Sequence, residues 1–155
     1  RQARVLAPGG KFPVPAVPAS WTWRFLGIGV VLGGLLTWLG RRRSRGFAPL
    51  ATLWSALAGV LGLVLTWLWV FSTHVAAYKN ENVFLSNVVV VLLAIAIPFR
   101  GKPARRLSVV VTGIAALGLA LKLMPAFDQQ NLELIALALP LHAGVLLGLR
   151  AREPS

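Results

Sequence analysis

The chain has 155 residues, of which 57% are hydrophobic and 13% are charged. A soluble domain of this size could not bury so large an apolar fraction, so the composition excludes that class. The net charge of +12 could suggest nucleic acid, but the basic residues cluster in short gaps between apolar stretches rather than on one face. We therefore expect no nucleic-acid partner. With no cysteine, two histidines and four carboxylates, the chain offers no thiol chemistry and too few ligands for a metal cluster, so no metal or other cofactor is expected.

Five long apolar stretches predict an all-α fold, a polytopic membrane bundle with five transmembrane helices. Each stretch is close to the roughly 20 residues that a helix needs to cross a bilayer core. The stretches are residues 21–39, 48–71, 83–99, 107–123 and 132–149. The domain organisation follows from them. Residues 1–20 form a proline-rich exported linker or tail, residues 21–150 the transmembrane domain, and residues 151–155 a cytoplasmic tail.

The basic residues between these stretches predict the orientation. Residues 41–45, 100–106 and 150–152 hold ten of the sixteen lysines and arginines and fall in every second gap. By the positive-inside rule those gaps are cytoplasmic, which puts the N-terminus outside and the C-terminus inside. Because the first helix then starts outside, its tail must have crossed the membrane. We expect residue 1 to follow a larger exported domain.

The two gaps that face outward are polar and supply the candidate site. His74 is the residue there whose ordinary pKa suits proton transfer near neutral pH, and asparagine amides can hold a polar headgroup. The candidate residues are His74, Asn80, Asn82, Asn87, Asp128, Gln130 and Asn131. Alternatively, the asparagines only cap helices and the histidine is only solvated. We expect residues 80–87 to lie near residues 129–133, with Lys122, one turn inside the fourth helix, reaching the interface or pairing with Glu133.

Two further features lie within the apolar stretches. Gly29 and Gly33, like Gly144 and Gly148, have the G-x-x-x-G spacing that lets another helix approach closely, either within the bundle or across a dimer. Pro140 predicts a bend in the fifth helix. His142 is an ionisable residue at membrane depth, which suggests function, although a neutral histidine bonded to a neighbouring helix would need no other role. We expect it to face protein rather than lipid.

The outward segments also resemble a known family. Residues 69–74 read Trp-Val-Phe-Ser-Thr-His, residues 80–82 Asn-Glu-Asn and residues 85–87 Leu-Ser-Asn. This order resembles the membrane portion of bacterial Lnb-type lipoprotein N-acyltransferases and their uncharacterised relatives, in which an aromatic run, a Ser/Thr-(Asp)-His, an Asn-x-Asn and an Asn-Pro-Leu follow one another. Residues 125–140 are similar to the family's final loop and helix. Val88 departs from the pattern, since the family usually has proline there.

The resemblance covers residues 21–150 and implies a multi-pass protein of the bacterial inner (cytoplasmic) membrane. In the family, a periplasmic domain supplies the nucleophilic cysteine, and this chain has none. The resemblance therefore implies a domain that binds membrane lipid or a lipoprotein at its outward face, for chemistry carried by that periplasmic domain. The alternative is a non-catalytic accessory or structural subunit, with other membrane proteins as partners. A transporter fits poorly, because the sequence shows no inverted repeat.

Overall fold

The computed structural model describes residues 20–71, 80–99 and 101–151. Within them the chain forms five α-helices, a 3-10 turn and no strand. The helices are α1 (Thr22–Arg41), α2 (Phe47–Phe71), α3 (Val88–Phe99), α4 (Lys102–Leu121) and α5 (Leu132–Arg150), and the 3-10 turn before α3 is Glu81–Phe84. When that turn is counted with α3, five segments are long and apolar enough to cross a membrane. The predicted all-α bundle with five spans is confirmed. Residues 1–19, His74 and residues 152–155 lie outside the described residues.

The two ends of the bundle differ in chemistry. The start of α1, the end of α2, the 3-10 turn, the end of α4 and the start of α5 share one end, which we call the polar end. The opposite end, which we call the basic end, carries the cationic residues of the connections and helix termini. These are Arg41, Arg42, Arg43, Arg45, Lys102, Arg105, Arg106 and Arg150. By the positive-inside rule the basic end is cytoplasmic, and this orientation stays a prediction.

Helices α1 and α5 run parallel and pack through glycines. A Cβ on Gly29 would lie 2.6 Å from the carbonyl oxygen of Ala136, and Gly33 and Gly40 are in equally close contact with the backbone of α5, at Pro140 and Gly148. At these positions a side chain would collide with main chain rather than with a flexible group. Both G-x-x-x-G motifs therefore serve packing within the bundle, one of the two predicted uses.

The remaining helices continue from α5 through α4 and α3 to α2, each packing mainly on the next. The core between them is apolar, and Phe47, Val90, Leu93, Val111 and Val145 are almost completely buried. Toward the outside most of the large side chains are apolar and exposed, as expected for helices whose solvent is lipid.

The third span departs from the prediction. A continuous helix was predicted over residues 83–99, but α3 begins only at Val88, after a break at Ser86 and Asn87. The Asn87 side-chain oxygen accepts a hydrogen bond of 3.0 Å from the Val89 N–H, so this residue starts a new helix instead of continuing the old one. The 12 residues of α3 cover only about 18 Å of a bilayer core of about 30 Å. The break therefore lies at membrane depth, inside the bundle.

The fourth helix also differs from its predicted bounds. It begins at Lys102 rather than residue 107, so Arg105 and Arg106 lie in the helix and not in the connection before it. Gly101 has a φ of 112°, a left-handed conformation that favours glycine, and lets the chain reverse between α3 and α4 within a very short turn. The arginines are therefore held on a rigid element.

Reporter fusions test the orientation. A topology reporter inserted after Arg45 should give a cytoplasmic signal, and one inserted after Lys79 should give an exterior signal, because the basic end is retained on the cytoplasmic side. Paired phosphatase and fluorescent-protein fusions at each position measure this directly. The reverse pattern would show that the polar end faces the cytoplasm, which would remove the basis for an outward site.

Candidate functional site

The two loops at the polar end meet, as predicted. The Glu81 N–H donates to the side-chain oxygen of Gln129 at 2.7 Å, and the Gln129 N–H donates to the Glu81 carboxylate at 3.1 Å. Each residue therefore satisfies the backbone of the other across the end of the bundle. This reciprocal pair fixes the 3-10 turn before α3 against the loop that leads into α5.

A partly buried cation strengthens the same contact. The Lys122 ammonium forms an ion pair with Glu81 and donates to the Gln129 carbonyl at 2.6 Å, while the two charged side chains are only 13% and 10% exposed. The prediction that Lys122 lies one turn inside the fourth helix was wrong, because α4 ends at Leu121 and Lys122 caps it. Its suggested partner was also wrong, since Lys122 pairs with Glu81 rather than Glu133.

Glu133 has a different role, set by the parallel packing of α1 and α5. Its carboxylate accepts a hydrogen bond of 2.6 Å from the Trp21 N–H, just before the first turn of α1. Glu133 itself lies in the first turn of α5. A carboxylate placed beside two helix N-termini is stabilised by the partial positive charge of both.

Three asparagines connect the loops further. The Asn80 side-chain oxygen accepts from the Asn82 N–H at 3.0 Å and from the Gln129 side chain at 3.4 Å. The Asn131 amide group donates to the Asn82 side chain at 2.9 Å. One interpretation of the sequence was that the asparagines cap helices, but Asn131, at the N-cap position, makes no side-chain capping bond to α5. Its amide spans the gap between the loops instead.

Two of these amides keep a hydrogen-bonding atom unused. Asn87 caps α3, as one reading of the sequence expected, but its side-chain nitrogen is buried and has no partner among the described residues. The Asn131 side-chain oxygen is in the same state. Such groups are costly to bury unless something bonds to them. Asp128 and Gln130 are exposed, so among the described candidates Asn87 and Asn131 have the strongest case for binding a ligand.

His142 lies in the middle of the bundle and is only 1% exposed, so the prediction that it faces protein rather than lipid is confirmed. Its Nδ1 accepts from the Trp54 indole at 3.4 Å, and its Nε2 lies 3.0 Å from the carbonyl oxygen of Leu85. This arrangement requires a neutral ring with the proton on Nε2. The carbonyl of Leu85 precedes the break before α3, so His142 satisfies a backbone group that the interrupted helix leaves open. Its contacts are structural.

The sequence did not reveal Glu81 and Gln129 as the centre of the polar end, nor Trp54 as a partner of His142. For Glu81 a signal existed. Glu81 and Lys122 are two of the few charged residues that border the apolar stretches at the gaps predicted to face outward, and such groups need a partner near the membrane surface. The sequence carries no equivalent signal for Gln129 or Trp54, whose contacts depend on how the helices are arranged.

The fold agrees with a comparison against protein families. The family model of the Lnb transmembrane domain matches residues 18–151. The chain belongs to that family. The predicted resemblance is therefore confirmed, and this Lnb transmembrane domain has the five helical spans expected of it. Comparison with curated proteins and with solved structures gave no significant match.

Proposed function

We propose that this Lnb transmembrane domain binds a membrane lipid or the lipid-modified N-terminus of a lipoprotein at its polar end, in the bacterial inner membrane. The acyl transfer itself is carried by an exported domain of the same protein, since this chain has no cysteine to act as the nucleophile. Membership of the Lnb family supports the lipoprotein class of substrate. The polar side chains of the polar end support that end as the binding site for this substrate.

The observation that carries the proposal is the broken third span. Backbone that is not helical is tolerated at membrane depth only where protein covers it or where it lines a cavity. Here the break brings Asn87 below the end of the bundle, and its buried side-chain N–H donor has no partner among the described residues. Asn131, in the facing loop, supplies an unused acceptor.

These two groups match the proposed ligand. An ester or phosphate oxygen near the lipid glycerol would accept from the Asn87 amide, and the amino terminus of a lipoprotein would donate to the Asn131 oxygen. The Glu81–Lys122 ion pair and the Gln129 contacts hold the loops in place around them. The domain thus orients the substrate, and the reacting groups come from elsewhere.

The test uses the full-length protein in cells that otherwise lack lipoprotein N-acylation. Asn87→Ser should lower the acylated fraction of a reporter lipoprotein about tenfold, because serine still caps α3 but cannot replace the amide donor. His74→Ala, in the outward segment outside the described residues, should have an effect at least as large. Mass spectrometry of the reporter's N-terminal peptide measures the acylated fraction, and immunoblotting measures the amount of membrane-inserted protein.

Two variants separate binding from structure. Asn82→Ala removes a tie between the loops, so it should lower protein level and acylation together. Thr37→Ala, which removes a hydroxyl bonded to Gly33 within α1, should leave both nearly unchanged. Full activity of both the Asn87→Ser and His74→Ala proteins would overturn the proposal and favour an accessory subunit.

A further inference from the structure

A cleft of about 740 Å³ opens at the basic end between α4 and α5, far from the polar end described above. Its lining has two parts. Arg105 and Arg106 from the first turns of α4 and Arg150 from the last turn of α5 provide the cationic part, and Val109 and Val110 provide an apolar wall. Two helices that are far apart in the sequence therefore contribute three arginines to the lining of one cleft.

The surroundings of the cleft favour an anion. The carboxylates among the described residues, Glu81, Asp128 and Glu133, belong to the polar end, and Glu153 lies outside the described residues. The first turn of α4 contains no acidic residue, and its N-cap, Gly101, has no side chain to cap it. The partial positive charge of this helix end thus adds to the arginines. Guanidinium groups also match phosphate oxygens in geometry.

The apolar part continues along the helix into the membrane. Gly113 follows Val109 and Val110 by four and three residues, so the three share one face of α4. A Cβ at Gly113 would have no atom within 4 Å, and Leu117, one turn further, is 51% exposed. A shallow apolar path therefore leads from the cationic opening along α4 toward the bilayer centre.

We infer that this cleft binds an anionic phospholipid from the leaflet at the basic end. Arg106 and Arg150, both exposed, hold the phosphate of the headgroup, while one acyl chain lies along Val109, Val110 and Gly113. Charge complementarity selects an anionic lipid over a zwitterionic one, because a zwitterionic headgroup would bring its own cation against the arginines. This site is separate from the proposed substrate site at the polar end and does not depend on it.

Native mass spectrometry of the detergent-solubilised full-length protein tests the site, with phosphatidylglycerol and phosphatidylethanolamine as probes. Phosphatidylglycerol should bind at least about tenfold more tightly. The double variant Arg106→Gln/Arg150→Gln should weaken that binding about 30-fold, as expected for the loss of two cations near a lipid phosphate. The matched variant Arg42→Gln/Arg45→Gln loses the same charge at the same end but outside the cleft, so it should change binding less than about twofold.

Gly113→Leu tests the apolar path and leaves every charge in place. It should weaken binding of long-chain phosphatidylglycerol but not of the dihexanoyl form, whose tails are too short to reach Gly113.

Equal losses of lipid binding in the two arginine double variants would overturn the proposed cleft site and show that the lipid is held by diffuse electrostatic attraction. Equal binding of the two headgroups would overturn the anionic specificity. Displacement of the lipid by millimolar inorganic phosphate would identify the site as one for a free anion rather than a lipid.

Discussion

Gly33→Leu should prevent the native packing of α1 on α5 and lower the stability of the bundle by about 3 kcal/mol or more. A side chain at Gly33 would point into the backbone of α5 at Pro140. Main chain inside a helix cannot move aside as a side chain can, so the cost lies at or above the upper end of the range for overpacked cores. The thermal midpoint of unfolding of the detergent-solubilised protein measures the effect.

The neighbouring glycine provides a matched control. Gly34 lies in the same helix, but a Cβ there would meet nothing within 4 Å, and the residue is exposed. Gly34→Leu therefore makes the same chemical change in the same membrane span on the lipid-facing side. It should leave the thermal midpoint unchanged or slightly raised, since leucine favours helix more than glycine does. Similar losses in the two variants would contradict the assignment of Gly33 to the interface between α1 and α5.

The contrast between these two glycines shows what the sequence could and could not predict. The spacing of Gly29 and Gly33 predicted a close approach by another helix, but nothing in the pattern named α5 as that helix. Length and hydropathy were enough for the five spans, because a bilayer imposes a minimum helix length and excludes charge. The partner of a given helix face depends on the shapes of all five helices, which no local pattern contains.

The third span shows a second limit. Hydropathy favours a continuous helix over residues 83–99, and the sequence there contains neither glycine nor an early proline to interrupt it. The break has two causes. The Asn87 side chain accepts a hydrogen bond from the Val89 N–H, and His142, from a distant part of the chain, donates to the Leu85 carbonyl oxygen. A local signal and a long-range one act together. Only the local signal, Asn87, was visible in the sequence, where one interpretation made it a helix cap.

At the polar end, the sequence predicted that the loops meet but not how. Dense polarity beside hydrocarbon made mutual contact the expected solution. The residues at which the helices begin and end then determine which charged side chains pair. Because α4 ends before Lys122, the lysine extends from the end of the helix over the 3-10 turn and reaches Glu81, while Glu133 is already held beside Trp21.

Lys122→Met should therefore destabilise the protein about as strongly as the glycine substitution. Methionine preserves much of the volume but leaves the Glu81 carboxylate, only 10% exposed, without its cation. Removing one partner of a largely buried ion pair costs about 3 kcal/mol. The remaining carboxylate, mostly shielded from solvent, keeps only its hydrogen bond from the Gln129 N–H. The Gln129 carbonyl loses a donor as well. We expect a lower thermal midpoint and faster proteolysis of the segment between α4 and α5.

The double variant Lys122→Met/Glu81→Gln distinguishes an unpaired charge from a loss of packing. Glutamine is neutral and nearly the same shape, and its side-chain oxygen can still accept from the Gln129 N–H as the Glu81 carboxylate does. If the cost of Lys122→Met comes from the isolated carboxylate, the second substitution should recover more than half of it, giving a large coupling free energy in the double-mutant cycle. Purely additive losses would show instead that the lysine stabilises the loops through its aliphatic stem and its bond to the Gln129 carbonyl. In that case the polar end would be held together by neutral hydrogen bonds, and the ion pair would contribute little to keeping Asn87 and Asn131 in place.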